Sequence, residues 1–220
     1  MLRHRTLAWT AAVALAAGLA LPLHADDPTA APAGLSAADR ESLVAMLEAG
    51  RAETEALIAR AEGELFTRKP APERWSVAEV LEHIGTTEEM LFALVETALA
   101  APPDPEAAQL VAARPVDAFA AAIKDRSQRI QAPDMLVPTG DKGGREELLA
   151  RYRAAREKTL ELVRTTQAPV ASHTAATPMG KMTAHHYLAL IAAHNLRHNQ
   201  QIAEALEQLA AAPAAEAPAQ

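Results

Sequence analysis

Apolar residues recur every three or four positions along four segments of about 20 residues or more, and this periodicity constrains the fold most. The segments begin near Ser36, Ser76, Arg145 and Thr183. Such spacing places an apolar stripe along one face of an α-helix. Alanine, the best helix former, makes up about a quarter of the chain, whereas aromatic residues account for 3%. We therefore predict an all-α fold.

Two of the segments also carry signals for the start of a helix. Ser36 precedes Asp39 by three residues, and Ser76 with Glu79 forms a capping box. The side chains predicted to face inward are, in chain order, Leu43, Leu47, Gly50, Thr54, Leu57, Ile58, Ala61 and Leu65; Val77, Val80, Leu81, Ile84, Leu91, Leu94, Val95 and Leu99; Leu148, Leu149, Tyr152, Thr159, Leu160 and Val163; and Tyr187, Leu188, Ile191, Ile202, Leu206 and Leu209.

A long connection separates the second and third segments. It runs from Pro102 to Gly144, contains six prolines, and includes a short helical pattern around residues 116–131. It shows neither the alternation of a strand nor a two-residue hairpin signal. Four long helices with one long crossover are typical of a four-helix bundle, which we place at residues 35–209.

Both ends of the chain differ from this central region. Residues 1–25 combine Arg3 and Arg5 with a 15-residue apolar stretch and a small residue, Ala25, before a plausible cleavage point. This pattern predicts a cleaved signal peptide and export, to the periplasm, with no stable membrane insertion afterwards. The alternative is an uncleaved anchor, although the apolar stretch is shorter than the ~20 residues that span a bilayer. The segments 26–34 and 210–220 are predicted to be a disordered linker and a disordered Ala/Pro tail.

Composition excludes several classes of site. The chain contains no cysteine, which removes disulfides, thiolate zinc sites and cysteine nucleophiles. A net charge of −7 argues against a nucleic-acid-binding protein, which would carry a basic surface.

Histidines are the remaining candidates for a reactive centre. On a helical wheel of the fourth segment, His194 and His198 lie at the centre of the apolar stripe, whereas His185 and His186 face away and are predicted to be exposed. His173 precedes this helix in a loop, where it either caps the mouth of a site or is solvated.

Two imidazoles one turn apart on a buried face admit two interpretations. They are either metal ligands or a hydrogen-bonded pair of core histidines. His83, at the edge of the second stripe, could meet them across the bundle. Three neutral histidines would form a facial site for zinc or another late divalent ion such as nickel, with positions left for water or a small-molecule substrate.

Other polar residues have weaker patterns. Gln201, Asn195 and Glu88 lie towards the apolar faces, where they either orient a ligand imidazole or form local hydrogen bonds. Three basic residues in or near the crossover either attract an anionic substrate or are ordinary surface charge: Arg126, Arg129 and Lys142.

Three motifs resemble the DinB-like superfamily. Residues 74–84 are similar to its W-S-x-x-E-x-L-x-H-[IL] signature, and residues 192–202 are similar to its closing H-x-x-R-H-x-x-Q-I helix. The intermediate stretches 132–140 and 152–156 also look like this group. The resemblance covers roughly residues 36–209.

The resemblance implies an up-down-down-up four-helix bundle in which His83, His194 and His198 bind one divalent metal. Relatives include thiol S-transferases, isomerases and proteins described as metal-dependent hydrolases, and dimers are common. Export sets this chain apart, because the thiol-transfer relatives use the thiol pool of the cytosol.

Two functions follow as hypotheses. The first is an exported metal-dependent hydrolase or transferase acting on a small molecule, as a possible homodimer. The alternative is a non-catalytic exported bundle that binds metal or acts as a scaffold.

Overall fold

Helices dominate the computed structural model of the protein, which describes residues 34–127, 130–178 and 180–211. The predicted signal peptide, residues 26–33 of the predicted linker and residues 212–220 of the predicted tail lie outside the described residues. The helices are α1 Ala37–Arg60, α2 Glu64–Thr67, α3 Val77–Ala100, α4 Ala107–Ala113, α5 Val116–Lys124, α6 Arg145–Thr165 and α7 Ala184–Ala211. A 3-10 helix spans Asp134–Leu136, and two antiparallel strands, β1 Thr174–Thr177 and β2 Gly180–Thr183, pair between α6 and α7.

The helix starts confirm the capping signals in the sequence. The Ser36 hydroxyl accepts a hydrogen bond from the Asp39 backbone N–H at 3.0 Å. At the start of α3, the Ser76 hydroxyl accepts from the Glu79 N–H at 3.2 Å, and the Glu79 carboxylate accepts from the Ser76 N–H at 2.8 Å. These bonds satisfy backbone donors that have no partner inside the helix. Helix α6 begins at Arg145, as predicted.

The four long helices pack through their apolar stripes. Helix α3 contacts α6 and α7, and α1 contacts the same two helices. One apolar cluster includes Leu47, Leu91 and Leu160, and a second includes Ile58 and Val80. The predicted all-α class is therefore confirmed at the level of a mostly helical protein with a helical core.

A layer of buried polar side chains lies between these two clusters along each long helix. We call it the polar layer, and its members are Thr54, Glu88, Arg156, Thr159, Asn195 and Asn199. On each long helix, the residues of the polar layer lie between residues of the first apolar cluster and residues of the second. Polar groups at this depth are stable only when they are hydrogen-bonded.

An ion pair forms one half of the polar layer. The Arg156 guanidinium donates to the Glu88 carboxylate through Nε at 2.9 Å and Nη2 at 2.8 Å, and through Nη1 to the Leu47 carbonyl at 2.8 Å. The Thr159 hydroxyl donates to Glu88 at 2.9 Å. Arg156 and Glu88 are 0% and 2% exposed, so α1, α3 and α6 are joined by a fully buried charge pair.

The side-chain amides of Asn195 and Asn199 form the other half of the polar layer. The Asn195 amide donates to the Thr54 hydroxyl at 3.0 Å and its oxygen accepts from the Tyr152 hydroxyl at 3.1 Å. The Asn199 amide donates to the Gly50 carbonyl at 3.0 Å. These bonds fix α7 against α1 and α6, next to the two histidines of α7.

Replacing Gly50 by alanine is expected to destabilise the protein by about 1–3 kcal/mol, because the layer leaves no room for a side chain. A Cβ at Gly50 would lie 2.5 Å from the Asn195 side-chain oxygen, which Tyr152 holds in place. Urea denaturation measures the loss. Gly85→Ala is the matched control, since its Cβ would meet Tyr152 at an ordinary 3.8 Å and Ala favours a helix. Equal effects of the two substitutions would contradict this account.

Two connections differ from the prediction. The crossover contains two short helices, α4 and α5, rather than one pattern over residues 116–131. Strands β1 and β2 form a small hairpin that the sequence analysis did not identify. Within the described part of the chain, we find no helix with the length and apolar character to cross a membrane.

Candidate metal centre

His83, His194 and His198 converge beside the polar layer. His83 lies in the second turn of α3, and His194 and His198 lie one turn apart in the middle of α7. One ring nitrogen from each histidine lies within 4.8 Å of the other two. His83 is buried, and the two histidines of α7 are half-buried. The structure thus brings together the three residues singled out in the sequence.

The orientation of His83 is fixed by the crossover. Its Nδ1 lies 2.7 Å from the backbone carbonyl oxygen of Leu136. A carbonyl oxygen only accepts, so Nδ1 carries the proton and the lone pair of the neutral ring is on Nε2. That Nε2 lies 3.1 Å from the Nε2 of His194.

His198 is oriented by a neighbour on its own helix. Its Nδ1 lies 2.8 Å from the side-chain oxygen of Gln201. Nδ1 is therefore the donor, and the lone pair on Nε2 is free for a ligand. Gln201 has the orienting position proposed for it from the sequence.

Burial keeps all three imidazoles neutral. It lowers the pKa of His83, against the opposing effects of the Leu136 carbonyl and the Glu82 charge. It lowers the pKa of His194 well below the usual value, and the neighbouring His198 and His83 add to this. Burial is also the main reason that the pKa of His198 falls to about 3. Neutral rings have the protonation state that metal coordination requires.

The donor set fits a late divalent ion. Nitrogens bound to zinc at 2.0–2.1 Å in tetrahedral geometry are about 3.3 Å apart, close to the 3.1 Å between His83 and His194. Imidazole suits zinc and nickel, whereas magnesium and calcium prefer oxygen. Three protein ligands would leave coordination positions open, as in catalytic rather than structural sites.

The indole of Trp75 forms an aromatic wall at this centre. Its ring centroid lies 4.9 Å from that of His83 and 6.4 Å from that of His198, nearly parallel to the latter. Trp75 immediately precedes the Ser76 cap, so the capping box also positions this wall.

Most of the chain matches a known protein family. The model of the DinB superfamily matches residues 46–202, more than two thirds of the sequence. The chain belongs to the DinB superfamily. The region that matches the DinB superfamily contains the three histidines of the candidate centre, and it also contains every residue of the polar layer. No curated protein and no solved structure gave a significant match.

Two residues suggested as partners of the ligand imidazoles have other roles. Glu88 accepts hydrogen bonds from Arg156 and Thr159, and Asn195 bonds to Thr54 and Tyr152. Both belong to the polar layer, so neither alternative describes them: these bonds do not orient a ligand imidazole, and they join different helices instead of being local.

The prediction that His185 and His186 are exposed is wrong. His186 is 1% exposed, and its ring bonds to the Thr183 hydroxyl and the Arg114 carbonyl, both at 2.7 Å. His185 is half-buried. The helical wheel failed because α5 covers a second face of α7.

His173 does not cap the candidate centre. Its Nδ1 bonds to the carbonyl of Ala101 at 2.8 Å, beyond the end of α3. Ala101 follows His83 by 18 residues, which corresponds to about 27 Å along a helix.

Of the three basic residues considered for anion binding, two already have acidic neighbours. Arg126 donates two hydrogen bonds to Glu204 at 2.6 and 2.8 Å. The Lys142 ammonium lies 4.0 Å from Glu82. Arg129 lies outside the described residues.

Lowering the pH of the metal-free protein from ~7 to ~5 is expected to reduce its free energy of unfolding. Unfolded histidines bind protons near pH 6.5, whereas folded His198 remains neutral to much lower pH, so acidification favours the unfolded chain. Denaturation in chelator at both pH values measures this. The His198→Gln variant should lose about 1–2 kcal/mol of the pH effect; an unchanged pH effect would contradict the burial of a neutral ring.

Proposed function

We propose that the protein is an exported member of the DinB superfamily that binds one divalent metal, zinc or nickel, through His83, His194 and His198. The convergence of three neutral ring nitrogens within 4.8 Å carries the proposal. The Leu136 carbonyl and Gln201 support it, because each occupies Nδ1 of one ring and directs Nε2 towards the centre.

We further propose that the centre acts on a small molecule, as a metal-dependent hydrolase or transferase. A divalent ion bound there would supply Lewis acidity. The three histidines would bind it, Leu136 and Gln201 would orient two of them, and Trp75 would exclude water from one side. A carbonyl and an amide exchange no proton near neutral pH, so their role is positional.

The arrangement of the long helices proposed here is an up-down-down-up bundle. Helices α1 and α7 run in the same direction, since Gly50 lies next to Asn195 and Thr54 bonds to Asn199. Helices α1 and α6 run in opposite directions, as shown by the pairs Glu55 with Arg153 and Glu48 with Arg164. We also propose that the chain is exported to the periplasm, that it has no nucleic-acid partner and that it forms a homodimer. N-terminal sequencing of the secreted chain should find Asp26 first.

Metal content of the purified chain tests the proposal. After loading with zinc or nickel and dialysis, we expect about one equivalent in the wild type and almost none in His194→Ala/His198→Ala. His185→Ala is the matched control, since it removes an imidazole from the same helix outside the triad. A wild type without stoichiometric metal would contradict metal binding.

Turnover separates the two functional hypotheses. Panels of amide, ester and thiol-transfer substrates should reveal an activity that the metal-free double variant lacks. Stoichiometric metal without turnover on these panels would instead favour the non-catalytic metal-binding bundle.

Gln201→Met is expected to weaken zinc affinity about 10- to 100-fold, because the lost amide no longer fixes the His198 ring. Competition with a chromogenic chelator measures the dissociation constant. Gln200→Met provides the control at an exposed neighbouring position of α7. If both variants bind zinc as the wild type does, the orienting role of Gln201 is wrong.

A further inference from the structure

A buried carboxylate next to His83 has no role in the centre as described so far. Glu82 is 3% exposed, and its two oxygens accept hydrogen bonds from the backbone N–H groups of Thr139 and Gly140, both at 2.9 Å. The Thr139 hydroxyl lies 3.2 Å from the same carboxylate. Such charge-assisted bonds are stronger than neutral ones.

These contacts anchor one end of a short segment of the crossover. Leu136 lies three residues before Thr139, in the 3-10 helix, and its side chain is 7% exposed. Its N–H donates to the Pro133 carbonyl at 2.8 Å. Pro138 restricts the backbone between Leu136 and Thr139. Fixing Thr139 and Gly140 therefore limits where the Leu136 carbonyl can lie.

That carbonyl determines which nitrogen of His83 carries the proton. It accepts from Nδ1 at 2.7 Å and thereby leaves the lone pair on Nε2, which faces His194. Without this acceptor, the neutral ring could carry its proton on Nε2 and would present no lone pair to the centre.

We propose that Glu82 is a positioning residue, which holds Thr139 and Gly140 and so keeps the Leu136 carbonyl where it sets the tautomer of His83. The consequence for metal affinity rests on the proposed function, whereas the tautomer is a property of the metal-free protein.

The first test uses Glu82→Gln in metal-free protein. Two-bond proton–nitrogen NMR spectra of the imidazoles, with His83 assigned from the His83→Gln spectrum, should show the Nδ1–H tautomer in the wild type. The variant should show a mixture or the Nε2–H form. An unchanged tautomer would overturn the proposal.

The second test is zinc affinity, for which we expect a loss of about 10- to 100-fold in Glu82→Gln. Glu89→Gln is the matched control, because it removes the charge of another carboxylate on α3, one that accepts a hydrogen bond from Arg151 of α6. A loss of equal size in Glu89→Gln, or a change below about twofold in Glu82→Gln, would overturn the proposal.

A third variant addresses the possibility that Glu82→Gln does not fold. Pro138→Gly keeps every contact of Glu82 but loosens the link between Thr139 and Leu136, so it should also shift the tautomer of His83. A wild-type tautomer in this variant would contradict the link. If the wild-type chain binds no zinc, the proposed function fails, and the tautomer of His83 alone then decides the role of Glu82.

Discussion

Arg156→Met is expected to lower the free energy of unfolding by about 3–5 kcal/mol, the usual cost of breaking a buried ion pair. The substitution removes every hydrogen bond of the guanidinium to Glu88 and to the Leu47 carbonyl, and it leaves the Glu88 carboxylate 2% exposed with no opposite charge in contact. Thr159 remains as a donor, but a hydroxyl does not replace a cation. Urea denaturation in the presence of chelator measures the loss without a contribution from metal.

The chain offers a matched control for this experiment. Arg151 and Glu89 also join α6 to α3, with a hydrogen bond of 2.7 Å, but their side chains are 33% and 42% exposed. Arg151→Met should therefore cost no more than about 1 kcal/mol. Adding Glu88→Leu to Arg156→Met should recover stability, because it removes the stranded charge. Similar losses for Arg156→Met and Arg151→Met would mean that the buried pair is no stronger than a surface pair.

The sequence carries more information about the polar layer than apolar periodicity alone reveals. Glu88 interrupts the α3 stripe between Ile84 and Leu91, and Arg156 interrupts the α6 stripe between Tyr152 and Leu160. A charged residue at a stripe position must find a partner at the same depth. Opposite charges at corresponding interruptions therefore could have predicted the Arg156–Glu88 pair.

The histidines show both the strength and the limit of helical periodicity. It placed His194 and His198 on one face of α7, and the structure shows that this face lies next to His83 of α3. It was wrong for His186, because periodicity assumes one solvent-facing side and α5 covers that side. Whether a short helix packs on a long one depends on the path of the crossover, which residue spacing does not encode.

The contact between a backbone carbonyl of the crossover and the ring of His83 could not be predicted from the sequence. The Leu136 carbonyl orients His83, yet every residue has a carbonyl and Leu136 looks like an ordinary apolar residue. Only the folded crossover shows which carbonyl lies at the ring. Gln201 could be found because a residue three positions from His198 lies on the same helical face.

Zinc is expected to stabilise the protein by about 4 kcal/mol when its free concentration is a thousand times its dissociation constant. For a domain of this size, that corresponds to a rise of about 8–16 °C in the melting temperature. The physical reason is that Nε2 of the buried His83 and Nε2 of the half-buried His194 lie 3.1 Å apart, and an ion bound there would take the place of the proton between these two nitrogens.

Thermal unfolding with added zinc or magnesium measures this effect. Magnesium should leave the melting temperature unchanged, because three imidazole nitrogens suit a late transition metal and not a hard cation. His194→Ala should abolish the zinc effect, since it removes one of the two α7 nitrogens, whereas His185→Ala should retain it. A zinc effect that persists in His194→Ala would place the metal elsewhere in the chain, and equal effects of zinc and magnesium would mean that carboxylates, rather than these histidines, bind the ion.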